Sequence, residues 1–451
     1  MSRRGEHFRY HDMVYPLALF GVALLLVGLC VDGPGDVLAG LKCIIMSQDV
    51  LITDYVAIAG IGAALVNAGL VTLITVALLY FSSDPFNGFT LVTVGLMAGF
   101  SLFGKNIVNI WPILLGTWLY AKLKQEPFSK YVNVALLATA LAPVVSYMAL
   151  DRGAVPVWPG VVTGVAIGFL MPPLSAYTFR IQNGMNLYNI GFACGLLAMM
   201  LVPALKAFGM QPENALFWAT GYNLPLGIAV AAVCGGMILC GLVLCRGKGL
   251  QAYRRLLQTS GRSPSDYMRT FGGGAVLLNM GVNGLLAAGY ILFIGGDLNG
   301  ATLGGIITIM GFSAYGKHAR NILPVMAGVL LGSLFNHAPL TTPALQLAGL
   351  FGTTLAPFSG LFGWPFGVLV GFIHSSVVLY AGMPLEGMNL YNNGFSGGLI
   401  AIVLYPILTS LVRHRKPVLQ DEDYYDAFEE DTPIPEQKLD AHMDDDMPME
   451  H

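Results

Sequence analysis

The chain has 451 residues and a formal net charge of -3; 55% of its residues are hydrophobic and 11% are charged. A soluble domain carries roughly 25% charged residues, so this composition excludes a soluble globular protein. Apolar runs long enough to cross the hydrocarbon core of a bilayer recur along the chain. They predict an all-α integral membrane protein.

Charge is distributed unevenly between the body of the chain and its C-terminal end. Residues 1–416 contain 22 lysines and arginines against 13 acidic residues, whereas residues 417–451 contain one lysine and 13 acidic residues. This composition predicts an acidic, disordered tail. The six cysteines form neither a CxxC pair nor a Cys/His ligand pattern, so we expect no metal site and no cofactor.

The first apolar run, residues 14–31, follows three arginines and has the composition of a signal peptide. We interpret it as a retained transmembrane helix, because a matching run opens the second half at Pro225. The apolar segments predicted for the first half are 14–31, 54–81, 88–104, 105–121, 131–150, 158–177 and 186–208. Their counterparts in the second half are 225–245, 267–295, 300–316, 317–333, 343–360, 364–381 and 389–411.

An internal duplication determines the predicted domain plan. The sequence GFSLFGK at 99–105 recurs 212 residues later as GFSAYGK at 311–317. The sequence MNLYNIGF at 185–192 recurs 203 residues later as MNLYNNGF at 388–395. The predicted domains are a cytoplasmic N-terminus at 1–13, a first transmembrane repeat at 14–210, a second repeat at 211–412 and a cytoplasmic acidic disordered tail at 413–451.

Loop charges predict that the two repeats have opposite orientations in the membrane. Loop 122–130 has three lysines and its counterpart 334–342 has no lysine or arginine, whereas segment 32–53 has one lysine and its counterpart 246–265 has five lysines and arginines. Because basic loops remain cytoplasmic, this reversal indicates inverted-topology repeats, each with an odd number of crossings. We expect a multi-pass membrane protein with both termini cytoplasmic.

The predicted number of spans depends on the segment pair 88–121 and its counterpart 300–333. Both arms of each pair are short and rich in glycine. Each pair is therefore either two spans or one re-entrant hairpin whose tip carries the Gly-Lys sequence. The protein accordingly has either fourteen spans, or ten spans plus two re-entrant hairpins.

Each Gly-Lys sequence places a lysine, Lys105 or Lys317, between two apolar runs, where a charge is costly. A helix that starts at this lysine would offer free N–H groups to an anion or a polar oxygen, with Asn109 or Asn321 one turn further on. Alternatively, each lysine snorkels to the interface from a tight turn. The occurrence of the lysine in both halves favours a solute-binding role.

The repeated MNLYN sequence opens the last span of each half and is flanked by glycine. Its amides and phenols can either bind solute or cap a helix and anchor it at the interface. Broken helices at matching positions of two halves are typical of transporter sites. The candidate solute-binding residues in these two turns are Asn186, Tyr188, Asn189, Asn389, Tyr391 and Asn392.

Two pairs of polar residues have structural interpretations. Asn67 and Asn279 occupy the middle of apolar runs, and we expect them to form hydrogen bonds between helices. Asp54 and Asp266 each precede a long apolar run, and we expect them to be N-caps.

Two polar residues of the second half have no counterpart in the first. His374 lies inside the apolar run 364–381, and Glu386 precedes the second MNLYN sequence. Either residue could couple transport to protons; the alternatives are a hydrogen-bonded core histidine and a loop glutamate. Because no catalytic triad order, paired acids or metal-spaced carboxylates can be identified, the sequence does not predict an enzyme.

The paired GMNLYNxGF and GFSxxGK motifs resemble those of a bacterial polytopic membrane-protein family classed only as a domain of unknown function. The resemblance covers the chain except its acidic tail. It implies a multi-pass protein of the bacterial plasma (inner) membrane and no particular substrate. The inverted halves are also similar in architecture to urea-channel-type proteins, an analogy of fold only.

We interpret the sequence as a membrane transporter or channel for a small polar or anionic solute, with its site between the two repeats. The expected partners are that solute, the lipid bilayer and a second copy of the chain, and not nucleic acid. The alternatives are an intramembrane enzyme that acts on a lipid-linked substrate, and a membrane scaffold or sensor that transports nothing.

Overall fold

The computed structural model of the protein describes residues 10–82, 86–150, 157–212, 214–335 and 338–412. Within these ranges the regular structure is helical, and β-structure is limited to isolated bridges. The predicted N-terminal segment at 1–13 is described only from Tyr10 onward, and the acidic tail lies outside the described residues.

The helices of the first half range from 5 to 36 residues in length. Its helices are α1 (Tyr10–Ile45), α2 (Tyr55–Ala59), α3 (Ile61–Ser82), α4 (Gly88–Phe100), α5 (Trp111–Leu123), α6 (Val132–Ala138), α7 (Ala142–Leu150), α8 (Trp158–Gln182) and α9 (Asn189–Ala207). A 3₁₀ turn at Thr139–Leu141 joins α6 to α7.

The second half repeats this order with one helix more. Its helices are α10 (Asn223–Leu244), α11 (Gly249–Leu256), α12 (Tyr267–Phe271), α13 (Gly273–Phe293), α14 (Gly300–Phe312), α15 (Ala319–Ser333), α16 (Pro343–Phe351), α17 (Ala356–Phe362), α18 (Trp364–Ala381) and α19 (Asn392–Leu411). The number differs because α1 is only kinked at Gly33, whose φ of 78° is not helical, whereas α10 and α11 are separate helices. A 3₁₀ turn at Gly352–Leu355 joins α16 to α17, at the position equivalent to Thr139–Leu141.

Helix length decides between the two predicted numbers of spans. Ten segments of the described chain, five in each half, are long and apolar enough to cross a membrane. Helices α4, α5 and α14 have 13 residues and α15 has 15. At 1.5 Å per residue they are about 20 Å long, shorter than the roughly 30 Å hydrocarbon core. These lengths fit ten spans plus two short helix pairs and argue against fourteen spans.

The N-terminal ends of several helices are fixed by the residues that the sequence indicates. Asp54 accepts a hydrogen bond from the backbone N–H of Val56 at 2.9 Å, and Asp266 accepts one from Arg269 at 3.1 Å. Both aspartates are therefore N-caps, as expected. Asp54 also accepts from the N–H of Gly300, the first residue of α14, at 3.2 Å. This second bond ties the first half to the second.

Helices α4 and α14 form the central contact between the halves. A Cβ at Gly95 would lie 3.2 Å from the Cα of Gly311, and a Cβ at Gly99 would lie 2.7 Å from the carbonyl oxygen of Gly304. Residue numbers rise along α4 as they fall along α14, so these duplicated helices run antiparallel. Their backbones come this close only because both surfaces carry glycine.

Candidate functional site

The Gly-Lys sequences form tight turns that bury their lysines completely. Gly104 and Gly316 have φ values of 108° and 100°, a region that favours glycine. The turn brings the N–H of Lys105 to the carbonyl of Phe100, and that of Lys317 to the carbonyl of Phe312, each at 3.0 Å. Both lysines have 0% exposed surface. Neither lysine side chain therefore extends to the membrane interface, so the alternative of snorkelling is wrong.

The mid-span asparagines hold these turns in place. The amide of Asn67 donates to the carbonyl oxygens of Ser101 and Lys105 at 2.7 and 2.8 Å. Asn279 makes the same two bonds to the turn that carries Lys317, at 2.8 and 2.7 Å. The expectation of hydrogen bonds between helices is thus confirmed for both residues, and their role is to position the lysines.

Each buried ammonium group reaches a tyrosine of the opposite half. The Nζ of Lys105 donates to the hydroxyl of Tyr391 at 2.6 Å and lies 4.7 Å from the centre of its ring. The Nζ of Lys317 donates to the hydroxyl of Tyr188 and lies 4.3 Å from the centre of that ring. Lys317 also donates to the hydroxyl of Thr353 at 2.7 Å. The result is two lysine–tyrosine pairs, each of which joins the halves.

Neither lysine pair contains an acid. In the part of the chain that the structure describes, no carboxylate lies within ion-pair distance of either ammonium group; the ion pairs found there involve partly exposed side chains. A buried charge is stable only when it is paired or extensively hydrogen-bonded. The two pairs therefore form a centre with an excess of positive or proton-donating groups.

The two MNLYN turns position these tyrosines by bonding to the opposite half. The N–H of Leu187 donates to the carbonyl of Thr354 at 3.1 Å, and that of Leu390 donates to the carbonyl of Ala140 at 3.0 Å. Thr354 and Ala140 belong to the 3₁₀ turns that interrupt α16–α17 and α6–α7. Each interrupted helix thus holds the tyrosine-bearing turn of the other half.

The asparagines of these turns are occupied in holding the backbone. The amide of Asn186 donates to the carbonyl of Gly394 at 3.0 Å, and that of Asn389 donates to the carbonyl of Gly191 at 3.4 Å. Their side-chain oxygens accept from the N–H groups of Tyr188 and Tyr391. Each asparagine thus closes a turn just before α9 or α19 and does not cap the helix, because the N-cap residues are Tyr188 and Tyr391 and have no side-chain cap bond.

Asn189 and Asn392, by contrast, keep polar atoms available. Asn189 is buried and donates to the carbonyl of Ser175 at 3.1 Å. The side-chain oxygens of Asn189 and Asn392 have no hydrogen-bond partner among the described residues. An unsatisfied buried oxygen is costly, so these two atoms are suited to a water molecule or a polar solute.

The asparagines that follow the lysines are buried and hold the turns. The side-chain oxygen of Asn321 accepts from the N–H of His318 at 2.9 Å, and its amide donates to the carbonyl of Gly316 at 2.8 Å. Asn109 donates to the carbonyl of Gly104 at 3.2 Å. It also contacts an acidic side chain, Asp49, which is described below.

The two residues considered for proton coupling lie in different surroundings. His374 is buried in α18, and its Nε2 lies 3.0 Å from the side-chain oxygen of Asn393. Glu386 forms an ion pair with Lys206 at 2.7 Å, in which the two side chains are 24% and 48% exposed. His374 is therefore connected to the centre through Asn393, whereas Glu386 belongs to a partly exposed loop.

The space between the two lysine–tyrosine pairs is almost closed. A cavity of about 10 Å³ is bounded by Tyr188, Tyr391, Asn393, Phe100 and Phe351. A water molecule needs about 10–15 Å³ of such space, so the cavity holds one water at most. The two tyrosines and Asn393 therefore meet at a cavity that is closed in this conformation.

The sequence analysis missed a second polar cluster, which surrounds Asp49. This carboxylate is completely buried in the segment between α1 and α2. It accepts hydrogen bonds from the hydroxyls of Tyr55 and Ser146 and from the amides of Asn106 and Asn109. Burial raises the pKa of Asp49 to about 7, although these four donors act to lower it.

Asp49 was not recognised because it has no counterpart in the duplication. The equivalent position 212 residues later is Gly261. A search limited to repeated motifs passes over such a residue. An acid that interrupts a repeat is a usable signal, but only comparison of the halves position by position would have revealed it.

A groove of about 780 Å³ lies beside this cluster. Most of its wall is apolar and includes Trp111, Trp118 and Leu115. Asn106, Asn109 and Ser146, the three residues that share one oxygen of Asp49, also line it. One layer of side chains therefore separates Asp49 from this space.

The helices of the described chain define the class of protein: this is a multi-pass helical membrane protein. A family model described as "Protein of unknown function (DUF1576)" matches residues 34–207 and 246–410, and the chain belongs to that family. These ranges include both lysine–tyrosine pairs and Asp49. No curated protein and no solved structure matched the chain.

Proposed function

We propose that this protein is a transporter or channel for a small anionic or polar solute, located in the bacterial inner membrane with both termini cytoplasmic. Its solute site consists of Lys105, Lys317, Tyr188 and Tyr391. The main support for the proposal is the pair of contacts between the halves. The buried lysine of each half donates a hydrogen bond to a tyrosine of the other half. Solute-binding groups at the junction of two repeats are typical of secondary transporters.

The charge of this centre favours an anion over a cation. Two ammonium groups are buried together with phenol rings, and among the described residues neither is paired with a carboxylate. Tyrosine hydroxyls can accept from a lysine and donate to a solute oxygen at the same time. An anion that enters between the pairs would supply the missing negative charge.

Opposite orientation of the repeats is supported by two independent features. Basic residues are reversed between corresponding loops of the halves. In addition, the duplicated helices α4 and α14 run antiparallel where they touch. A two-fold axis that relates two antiparallel helices is perpendicular to both of them. If the helices run along the membrane normal, this axis lies in the membrane plane.

Passage of a solute requires the centre to open, since its cavity holds one water at most. The interrupted segments α6–α7 and α16–α17 are the elements suited to this movement. Each is a span with a 3₁₀ turn in its middle, and each turn carries the hydrogen bond that holds a tyrosine-bearing loop. Discontinuous spans of this kind are typical of moving parts in transporters.

Uptake into proteoliposomes tests the proposal. Radiolabelled phosphate, sulfate, formate and urea would be supplied to vesicles that contain the wild-type protein or the double variant Lys105→Ala with Lys317→Ala. We expect wild-type vesicles to take up at least one of the three anions, and the double variant to lose at least nine-tenths of that rate. Loss of a charge that contacts the solute costs several kcal/mol, and a loss of about 1.4 kcal/mol already lowers the rate tenfold.

The matched control is the double variant Lys122→Ala with Lys124→Ala, whose lysines are exposed at the end of α5. It should transport at the wild-type rate. Equal uptake by both double variants would exclude a role for the buried lysines. If the vesicles took up urea and none of the three anions, the solute would be neutral and the proposed anion selectivity would be wrong.

One observation favours a non-transporting scaffold or sensor as the second candidate: the centre is closely packed around a cavity of about 10 Å³. Vesicles that take up none of the four solutes would favour it. The enzyme alternative has no such support, because His374 contacts Asn393 whereas Glu386 pairs with Lys206. The described residues also contain no group of acids, histidines and cysteines that could hold a metal ion.

A further inference from the structure

We propose that Asp49 takes up and releases a proton and couples this step to the solute site at the Lys105–Tyr391 pair. The inference rests on the proposed transport function, of which it names the coupling ion. Three observations support it: the hydrogen bonds of Asp49, the contacts that connect its segment to the turns of Lys105 and Tyr391, and the lack of an equivalent acid in the second half.

The hydrogen bonds of Asp49 suit a proton site better than a site for a metal cation. All four side chains in contact with the carboxylate donate to it: Tyr55, Asn106, Asn109 and Ser146. The side-chain oxygens of the two asparagines accept from backbone N–H groups of their own turn. The remaining oxygens at the carboxylate are the hydroxyls of Tyr55 and Ser146, so a metal ion would have to displace their hydrogen bonds to Asp49, whereas a proton needs only one of the carboxylate oxygens.

The charge of Asp49 is not balanced by a base. Within the described ranges, the titratable group in hydrogen-bond contact with it is Tyr55, which reaches it from α2. Lys105, the residue before Asn106, directs its ammonium group to Tyr391 instead. Ser146 is the contact from α7. A buried carboxylate that is held by neutral donors alone is easily protonated, and burial places its pKa near 7.

Uptake of a proton changes the hydrogen bonds of this cluster. A proton from water in the adjacent groove would bond to one oxygen of the carboxylate, converting an acceptor into a donor. Asn106 and Asn109 can only donate through their amide nitrogens, whereas the hydroxyl of Ser146 can rotate and accept. Protonation also removes the negative charge that strengthens the hydrogen bonds from Asn106 and Asn109, so both amide bonds to the turn at 106–109 weaken.

Asp49 is connected to both members of the Lys105–Tyr391 pair. On one side it holds Asn106, the residue that follows Lys105 in the same turn. On the other side the N–H of Leu51, two residues after Asp49, donates to the carbonyl of Gly387 at 3.0 Å. Gly387 begins the loop that carries Tyr391. A change at Asp49 is thus transmitted to the lysine and to its tyrosine through contacts of the same short segment.

The second half lacks this device although it keeps the surrounding framework. Gly261 and Gly360 occupy the positions equivalent to Asp49 and Ser146, and His318 replaces Asn106. A Cβ at Gly261 would lie 2.0 Å from the carbonyl oxygen of Gly316, so an acid does not fit there. The link to the tyrosine-bearing loop is retained, since the N–H of Ser263 donates to the carbonyl of Gly184 at 3.0 Å. The proton site therefore belongs to one half only.

Infrared spectroscopy of the reconstituted full-length protein tests the proton site without any solute. We expect the carbonyl stretch of a protonated carboxyl group to appear below a midpoint near pH 7 and to be missing from the Asp49→Asn variant. The Ser146→Ala variant removes a donor that stabilises the carboxylate, so its midpoint should move to higher pH. Absence of a band that depends on Asp49, or an unchanged midpoint in Ser146→Ala, overturns the proposal.

Coupling is measured in the same vesicles with a pH-sensitive dye inside. For an anion that the wild type takes up, proton entry should accompany uptake, and in Asp49→Asn this proton entry should be lost while exchange of labelled for unlabelled anion continues. Proton entry at the wild-type rate in Asp49→Asn overturns the coupling. If an Asp49-dependent band is found but no anion is taken up, the transport function fails while the proton site stands.

Discussion

The two buried lysines have unequal sets of partners, although their turns are duplicates. Lys317 donates to the hydroxyls of Tyr188 and Thr353. Lys105 donates to the hydroxyl of Tyr391, and its further contact is the sulfur of Met97 at 3.4 Å. A thioether is a weak acceptor. The Lys105 ammonium group therefore depends more strongly on its tyrosine than the Lys317 group does.

This inequality predicts different effects for two equivalent substitutions. Tyr391→Phe leaves Lys105 without an oxygen partner and should destabilise the protein by about 1–3 kcal/mol, the cost of an unsatisfied buried polar group. Tyr188→Phe leaves Lys317 bonded to Thr353 and should cost about half as much. Thermal unfolding in one detergent measures the difference as two values of Tm. Equal losses of Tm would show that Thr353 does not support Lys317.

Among single residues, the sequence predicted best what the duplication repeats. Lys105, Lys317 and the MNLYN tyrosines were selected because they occur twice, and the structure brings them together. Their pairing across the halves was not predicted, because sequence spacing reports neighbours within one helix and not contacts between residues 286 apart. Asp49 was not predicted for the opposite reason, because the second half has no acid at the equivalent position.

At the scale of elements, the contact between α4 and α14 depends on glycine at defined positions. A Cβ at Gly99 would lie 2.7 Å from the carbonyl oxygen of Gly304 and 3.2 Å from its Cα. The obstacle is backbone, which cannot turn aside as a side chain can. The sequence predicted short, glycine-rich arms at these positions, but it did not show that the two arms lie against each other.

The Gly99→Ala variant tests this contact, with Gly235→Ala as its control. Overpacking at Gly99 should destabilise the protein by about 1–3 kcal/mol and lower Tm, because the two helices must separate. Gly235 lies inside α10, where a Cβ meets no atom within 4 Å, so alanine there should leave Tm unchanged or raise it slightly. Similar Tm values for the two variants would mean that α4 and α14 do not need their close approach.

At the scale of the whole molecule, the decisive question is how the two halves lie in the membrane. Composition and run length sufficed to predict the helical membrane class, because hydrocarbon imposes both. The choice between fourteen and ten spans needed helix lengths, which apolar runs do not give when two short helices follow each other closely. Orientation rests on the reversed loop charges together with the antiparallel contact of α4 and α14.

Cysteine labelling measures orientation directly. In a variant without native cysteines, Lys124→Cys and Thr341→Cys place single thiols at exposed positions in loops 122–130 and 334–342, which correspond to each other in the duplication. Because basic loops stay cytoplasmic, a membrane-impermeant thiol reagent should reach Lys124→Cys only in inside-out vesicles and Thr341→Cys only in right-side-out vesicles. Lys248→Cys, in the basic segment 246–265, serves as the cytoplasmic reference and should be labelled like Lys124→Cys.

Labelling of Lys124→Cys and Thr341→Cys from the same side would mean that the repeats are parallel. Lys105 and Lys317 could then not be related by an axis in the membrane plane, and the reciprocal lysine–tyrosine pairs would need another origin.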